Sequence, residues 1–352
     1  MGAPYSLRRS ESREIPMSDR IVKDFEHHTG IHCGSTAMAD ILRHAGIELS
    51  EAMVFGLGSG LGVYYLKSEH MSPSRQIMGR HFRLEENCAE ALGLELRPHF
   101  EGDNEAAWAG VKAALDEDRP VLVQCDLCEL PYWGSTTPFN GHKIAVVGYN
   151  DATGEVLVAD THFEGLQRIS ADALERARAS NAPPSMGNQN VWWTLEPGDT
   201  RPLDEAVELA LERNAAQMEE DSSGFGGLAA LEQFAAEIVS WRELDDAAWA
   251  YRFAFQCIEK RGTGGGNFRY LYRDFLNEAG EHVPSILQAQ LAVSMTRTAS
   301  SWSTLARYLE AMSRWVEGGD DKPEEDPTHH LESMAEAVLQ FESTFWDRVS
   351  GF

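Results

Sequence analysis

The chain has 352 residues, of which 56 are acidic and 30 basic, so its formal net charge is −26. A chain this acidic is a poor candidate for nucleic-acid binding, which depends on basic patches that neutralise phosphates. It contains no apolar run long enough to cross a membrane, while its 43% of apolar residues suffice for a folded core.

The beginning of the chain and its cysteines predict a cellular location. Residues 1–16 contain neither an apolar stretch nor a secretory cleavage pattern, and we expect them to form a disordered leader. The five cysteines are odd in number, which argues against a disulfide framework. Both features predict a reducing, cytoplasmic setting.

Residues 17–197 are predicted to form one α+β domain. Apolar residues at helical spacing come first, in CGSTAMADILRHAG, HFRLEENCAEALGLEL and NEAAWAGVKAALDEDR. Between the first two, GLGSGLG at 56–62 is predicted to be a close-packed or flexible glycine loop. Short runs rich in β-branched and aromatic residues follow, in PVLVQCDL, GHKIAVVGYN, GEVLVADT and NVWWTLEP. Helices followed by strands with short turns predict an antiparallel sheet.

Residues 198–352 are predicted to form an α-helical domain. After the Pro- and Gly-containing LEPGDTRPL, the long segments keep helical spacing, from LDEAVELALERNAAQM to HLESMAEAVLQFESTFWDRV. One of them, SSWSTLARYLEAMSRWVEGG, carries large apolar residues on one face, which predicts packing within the domain or across a homodimer. No cofactor motif is present, because GLGSGLG lacks dinucleotide-binding spacing and GTGGG at 262–266 lacks the lysine of a phosphate loop.

Cys33 is the strongest candidate for a reactive side chain. It opens a predicted helix, where the helix dipole and unpaired backbone N–H groups favour the thiolate, which is the attacking form. The same N–H groups can stabilise an oxyanion. A nucleophile of this kind also needs a base and a side chain that orients the base.

His142 and Asp160 are the predicted partners of Cys33. His142 begins the strand GHKIAVVGYN, and Asp160 ends the next strand, GEVLVADT. The turn NDATGE makes a hairpin of the two strands, which places both side chains near the same end. His162, two residues beyond Asp160, is a weaker alternative for the site histidine. The sequence thus predicts a triad of cysteine, histidine and aspartate.

Metal binding is the main alternative use of these residues. Cys125 and Cys128 form a single CxxC without a second ligand pair, so buried structural thiols are the better interpretation. Cys33 could also join His28, His32 and the two triad partners around zinc. The Thr-Gly pair between the two histidines argues against the shared helical face that such a site needs, so no metal is predicted.

These motifs resemble a known family. A helix-borne cysteine followed by GHKIAVVGY and VLVADTHFEG is similar to the papain-like fold of cysteine peptidases. More specifically, HHTGIHCGSTAMADILRHAGIELSEAMVFGLGSGLGVYYL looks like the N-terminal domain of the butirosin biosynthesis protein H family. RGTGGGNFRYLYRDFLNEA looks like the helical domain of unknown function that often follows it. Together the two resemblances span about residues 20–345.

The resemblance implies an acyltransferase of natural-product metabolism. That family moves an aminoacyl group from an acyl carrier protein onto an aminoglycoside amine. For this chain it implies a phosphopantetheine thioester as donor, no other bound cofactor, an acyl-Cys33 intermediate and an amine acceptor, and the acidic composition favours a polycationic one. The same triad also serves a cysteine hydrolase, whether peptidase, amidase or thioesterase. An inactive binding or scaffold protein would keep only the fold.

Two further groups of residues are candidates for the site. Papain-like peptidases carry a glutamine about six residues before the cysteine as an oxyanion donor, whereas this chain has His27 there and His28 next to it. Either imidazole N–H is a candidate replacement. In the second domain, GTGGG is interpreted as bare backbone near the substrate, which makes substrate-binding candidates of Arg261, Gly264, Gly265 and Arg269.

Overall fold

The structure is a computed structural model that describes residues 20–182, 189–219 and 223–351. The predicted leader at residues 1–16 lies outside these ranges. Within them, an α+β half is followed by a helical half, and no helix is both long enough and apolar enough to span a membrane. The predicted α+β class with a helical second part is therefore confirmed.

The α+β half runs to residue 195. It contains β1 (Arg20–Ile21), α1 (Cys33–His44), α2 (Glu51–Leu57), β2 (Leu61–Lys67), β3 (Arg75–Arg80), α3 (Leu84–Ala91), β4 (Leu96–Phe100), α4 (Asn104–Asp116), β5 (Val121–Asp126), β6 (Asn140–Asn150), β7 (Glu155–Ala159), β8 (Gln167–Ser170), α5 (Ala171–Ala179) and β9 (Val191–Leu195).

The helical half starts at residue 203. It contains α6 (Leu203–Glu219), α7 (Gly227–Glu237), α8 (Ala247–Glu259), α9 (Arg269–Ala279), α10 (Pro284–Gln288), α11 (Leu291–Glu317) and α12 (Thr328–Ser350). Short 3₁₀ turns occur at Leu127–Glu129, Ile238–Glu243 and Gly266–Phe268.

An antiparallel sheet positions the two strands of interest at its centre. In the described part of the chain its order is β4–β9–β5–β6–β7–β8, and β1 also pairs with β6. Ala145 of β6 lies opposite Ala159 of β7, so the start of β6 and the end of β7 meet at one edge. This is the predicted hairpin, and it brings the segments of His142 and Asp160 together.

The predicted glycine loop at residues 56–62 leads into a second hairpin, which β2 and β3 form. The loop is confined to the turn between α2 and β2, where a Cβ on Gly60 would lie 2.5 Å from the carbonyl oxygen of Phe55. Beyond the turn, Tyr65 donates to Glu237 at 2.9 Å and accepts from Trp241 at 3.0 Å, both in the helical half. One hydrophobic core thus continues across both halves.

The apolar face of α11 packs inside the chain. Trp302, Leu305, Leu309 and Met312 are completely buried among the described residues. Of the two alternatives that the sequence left open for this face, the structure shows the intramolecular one.

Arg269 forms a buried ion pair at the centre of the helical half. Its side chain is 0% exposed and its Nε donates to Glu342 at 2.6 Å. The guanidinium also donates to the backbone oxygens of Gly62 and Gly79, which ties the β2–β3 hairpin to α9 and α12. Because the donors point into the core, the structure corrects the prediction that Arg269 binds substrate.

We expect Arg269→Met to destabilise the protein by roughly 3–5 kcal/mol, because it leaves the buried carboxylate of Glu342 without its cation. Urea unfolding followed by tryptophan fluorescence measures the change. The double variant Arg269→Met/Glu342→Gln should recover part of the loss, since its remaining side chains carry no charge. Wild-type stability combined with weakened substrate binding would instead restore the role in substrate binding.

Candidate active site

A cavity of about 340 Å³ lies where the two halves of the chain meet. The α+β half supplies the ends of α1, β3 and β6 and the loops around them, and the helical half supplies the segment after α8. The lining residues are Ile31, His32, Cys33, Arg80, Leu127, Trp133, Ser135, Thr137, Phe139, Gly141, His142, Thr161, His162, Lys260, Arg261, Gly262 and Phe268.

Cys33 is the first residue of α1 and is half-buried at the pocket. His32 caps this helix, because its side chain accepts from the backbone N–H of Ser35. The approach to the helix is held by Glu51 of α2, whose carboxylate accepts from the backbone N–H groups of Ile31 and His32 at 2.9 and 2.7 Å. These contacts fix the thiol at the positive end of the α1 dipole.

His142 lies between Cys33 and Asp160. Its Nε2 is 2.9 Å from both carboxylate oxygens of Asp160, and the ring is close enough to the thiol of Cys33 for each group to shift the pKa of the other. Since Nε2 is occupied by the carboxylate, Nδ1 is the ring nitrogen left for the thiol. The three side chains predicted from the sequence as a triad are thus brought together.

Tyr132 and Trp133 also bind Asp160, and neither residue was predicted from the sequence. The Tyr132 hydroxyl and the Trp133 indole N–H each donate to Oδ2 at 2.8 Å. The Trp133 ring also stands edge-on to His142, with 5.5 Å between the ring centres. The signal in the sequence was a pair of adjacent aromatic residues, each with a hydrogen-bond donor, in the loop after a buried strand.

The charges in the triad favour a thiolate beside an imidazolium. Burial opposes ionisation of Cys33, but the hydrogen bond from His142 and the positive charges of His142 and Arg80 outweigh it and lower the pKa of the thiol. Burial also opposes a charged His142, yet the charge and hydrogen bond of Asp160 raise the pKa of this histidine to about 10. Both shifts favour the ion pair in the pH range between the lowered pKa of Cys33 and the raised pKa of His142.

We expect alkylation of Cys33 by neutral iodoacetamide to rise with pH through a midpoint below 9.0, the ordinary thiol value. A lowered pKa populates the reactive thiolate at lower pH. Peptide mass spectrometry resolves Cys33 from Cys257, whose pKa burial raises to about 12 and which serves as an internal control. His142→Gln should move the midpoint to higher pH. Burial still disfavours the Cys33 thiolate in this variant, while the stabilising charge of His142 is gone. A wild-type midpoint at or above 9.0 would refute the ion pair.

His27 and His28, the predicted oxyanion donors, do not line the pocket. Nδ1 of His27 is 2.6 Å from Asp40, and its Nε2 is 3.0 Å from the carbonyl oxygen of Phe163. Burial alone would lower the pKa of this histidine, but the bond to Asp40 and its charge raise it. His28 is exposed. The structure corrects this prediction, since His27 has both ring nitrogens engaged and His28 points elsewhere.

Of the three histidines that precede Cys33, His32 is the one that lines the pocket. Burial, together with the positive charges of Arg80 and Lys143, lowers the pKa of His32 well below its usual range, so the ring is neutral. Its Nδ1 accepts from the Ser35 amide at 3.2 Å and carries no hydrogen, so the ring proton is on Nε2. The pocket beside Cys33 is therefore lined by a neutral imidazole that can only donate from Nε2.

The GTGGG loop meets the pocket at its first residues. Arg261 and Gly262 line the cavity, and a Cβ on Gly262 would approach the Ile31 carbonyl oxygen to 3.3 Å. A Cβ on Gly264 would lie 3.1 Å from the Ile31 side chain, and one on Gly265 would meet Glu259 and Tyr270. All of the loop glycines have positive φ, which other residues rarely adopt. The structure corrects the prediction for Gly264 and Gly265, since Gly262 is the loop glycine that lines the pocket.

The five ligands of the alternative zinc site do not all converge. Among residues 20–182, 189–219 and 223–351, no group of three or more His, Cys, Asp or Glu side chains is arranged to hold a metal ion. His28 is exposed outside the pocket, and Nδ1 of His32 is used by the helix cap.

The fold and the pocket define a protein with a helix-borne thiol, a strand-borne imidazole and a buried carboxylate on an α+β scaffold. Residues 32–161 match the family model described as Butirosin biosynthesis protein H, N-terminal, and residues 172–349 match Domain of unknown function (DUF4872). The second match alone spans just over half of the chain. The chain belongs to the family that joins these two regions, as its motifs predicted. No curated protein sequence matches it.

Proposed function

We propose that this protein is an amide-forming acyltransferase of natural-product biosynthesis. In this proposal Cys33 takes an acyl or aminoacyl group from the phosphopantetheine thioester of an acyl carrier protein and passes it to an amine. The observation that carries the proposal is that Cys33 and His142 line one pocket while Asp160 binds His142 from behind at 2.9 Å. Membership of a family described by a biosynthesis protein supports the metabolic context.

The first step is transfer of the acyl group to the enzyme. The Cys33 thiolate attacks the carbonyl carbon of the thioester, and the backbone N–H of Cys33, at the start of α1, stabilises the resulting oxyanion. The bond from carbon to the donor sulfur breaks, and the imidazolium of His142 protonates that sulfur. The products are a free pantetheine thiol, an acyl-Cys33 thioester and a neutral His142.

The second step is aminolysis. The neutral amine attacks the carbonyl carbon of acyl-Cys33, and His142 removes a proton from its nitrogen. The bond from carbon to Cys33 breaks, which releases the amide and regenerates the pair of thiolate and imidazolium. Asp160 stabilises the charged imidazole and keeps its second nitrogen towards the sulfur throughout the cycle.

Water competes with the amine for the acyl-Cys33 intermediate. A hydrolase would use the same first step and release a free acid in the second. We also propose a cytoplasmic reaction in which the acidic protein accepts a polycationic amine and requires no resident cofactor or metal. A catalytically inactive scaffold would contain the pocket without a reactive thiol.

The test is intact-protein mass spectrometry after incubation with acyl pantetheine thioesters, with and without an amine. We expect an acyl adduct on Cys33 that disappears when amine is added, with formation of the amide. Release of free acid at a rate indifferent to the amine would identify a hydrolase. Absence of any adduct together with an unreactive Cys33 would identify a scaffold.

A further inference from the structure

The charges that line the pocket contrast with the charge of the whole chain. The protein has 56 acidic and 30 basic residues, yet none of the described residues that line the pocket is Asp or Glu. Three permanent cations do line it: Arg80 at the end of β3, and Lys260 and Arg261 after α8. The imidazolium of His142 and the thiolate of Cys33 also line it, and their charges cancel. The cavity is thus a local positive site on a strongly negative protein.

The three cations have no carboxylate partner among the described residues. Arg80 donates to the backbone carbonyl of His81 at 3.2 Å. Arg261 donates to the amide oxygen of Gln256 at 2.8 Å and lies over the ring of Phe253, while its buried Nε has no hydrogen-bond partner. In contrast, many arginines elsewhere form ion pairs, such as Arg213 with Glu90. The pocket therefore holds positive charge that the described part of the protein leaves uncompensated.

Glu85 is the carboxylate close enough to interact with Arg80, and it does not neutralise the pocket. It is completely buried, it does not line the cavity, and its Oε2 accepts from Lys143 at 2.5 Å. The pair of Glu85 and Lys143 has no net charge, so the charge of Arg80 remains available. A small cavity with low-dielectric walls focuses this field on whatever enters it.

We propose that the pocket recognises an anionic oxygen group on the acyl donor through Arg80, Lys260 and Arg261. This inference rests on the proposed function and adds the substrate class: the donor is negatively charged, and the α+β and helical halves bind it together. The anion has two chemical sources. It is either a carboxylate on the acyl group, held close to the thiol, or the phosphate of the phosphopantetheine arm.

A first experiment needs no acyl donor. Alkylation of Cys33 is measured with iodoacetate, which is anionic, and with neutral iodoacetamide, and the ratio of the two rates is compared between variants. The ratio cancels changes in thiol pKa and in folding, since both reagents meet the same thiolate. The wild-type ratio should exceed that of Cys257 and fall with added salt.

The variants Arg80→Gln, Lys260→Gln and Arg261→Gln should each lower this ratio by roughly threefold to tenfold, as expected for loss of one screened charge. Arg348→Gln removes the same charge from an exposed position at the end of α12 and should leave the ratio unchanged. A triple variant with the wild-type ratio, or a wild-type ratio indifferent to salt, would overturn the inference.

A second experiment identifies the source of the anion. Acylation of Cys33 is followed by intact mass with four donors, namely glutaryl and neutral glutaramyl thioesters of pantetheine and of 4′-phosphopantetheine. If the glutaryl donors react faster than the glutaramyl donors, the anion is the carboxylate of the acyl group. If the 4′-phosphopantetheine donors react faster than the pantetheine donors, the anion is the phosphate of the arm. Equal rates for all four overturn the inference while the proposed function stands. An iodoacetate preference without any acylation would refute the proposed function and leave the anion site intact.

Discussion

Cys33→Ala should abolish formation of the acyl-enzyme and of the amide, with a fall of at least about a thousandfold in the rate of transfer. The thiol is the atom to which the acyl group becomes bound, and none of the other described residues that line the pocket is a cysteine. Cys33→Ser should be almost as inactive, because a hydroxyl beside His142 does not ionise as the thiol does. Intact mass and amide formation with a pantetheine donor measure both effects.

Cys257→Ala is the matched control for this prediction. Cys257 is also half-buried, but it lies outside the pocket on α8 and burial raises its pKa to about 12. Its removal should leave the transfer rate within about twofold of wild type. Near-wild-type thermal unfolding of Cys33→Ala would show that the loss is chemical. Substantial transfer by Cys33→Ala would refute the proposed nucleophile.

Asp160→Asn should lower the rate of acyl transfer by roughly 10²- to 10⁴-fold, which is the scale of impaired acid–base catalysis. The buried carboxylate accepts from His142, Tyr132 and Trp133, and its negative charge stabilises the imidazolium. The side-chain amide of asparagine lacks that charge. Its NH₂ group would also face side chains that are themselves hydrogen-bond donors. The pKa of His142 should therefore fall and that of Cys33 rise.

The pH profile separates this effect from simple unfolding. In Asp160→Asn, the midpoint of iodoacetamide alkylation at Cys33 should move to higher pH, because the thiolate loses its charged partner. Trp133→Phe removes one hydrogen bond to Asp160 while the carboxylate stays, so it should lower the rate far less. An Asp160→Asn protein with the wild-type alkylation profile would show that the carboxylate does not control the triad.

The predicted triad depended on local sequence patterns. A β-hairpin with a short turn returns the chain along its own first strand, so the start of β6 and the end of β7 meet at one edge even though the register shifts by one residue between Val146 and Gly148. The position of Cys33 at a helix start is likewise a local feature. These side chains were therefore predictable before any contact between distant elements was known.

The surroundings of the triad were not predictable in the same way. His27, His28 and His32 lie within six residues, and only the long-range contacts of His27 with Asp40 and Phe163 exclude it from the pocket. Arg261 and Arg269 flank one glycine loop, yet Arg261 lines the cavity and Arg269 pairs with Glu342 in the core. The three histidines are alike in type and close in sequence, and so are the two arginines. Their burial and long-range contacts in the folded chain decide which of them line the pocket.

By itself, the sequence determined the α+β and helical composition of this protein, its central hairpin and the prediction that Cys33, His142 and Asp160 lie together. Each of these depends on periodicity, turns or helix ends, which act over a few residues. Only the tertiary structure decided that Tyr132 and Trp133 hold Asp160, and that His32 replaces its neighbours beside Cys33. It also decided that Arg80, Lys260 and Arg261 meet in one pocket, because charges from such distant segments converge only when the core packs.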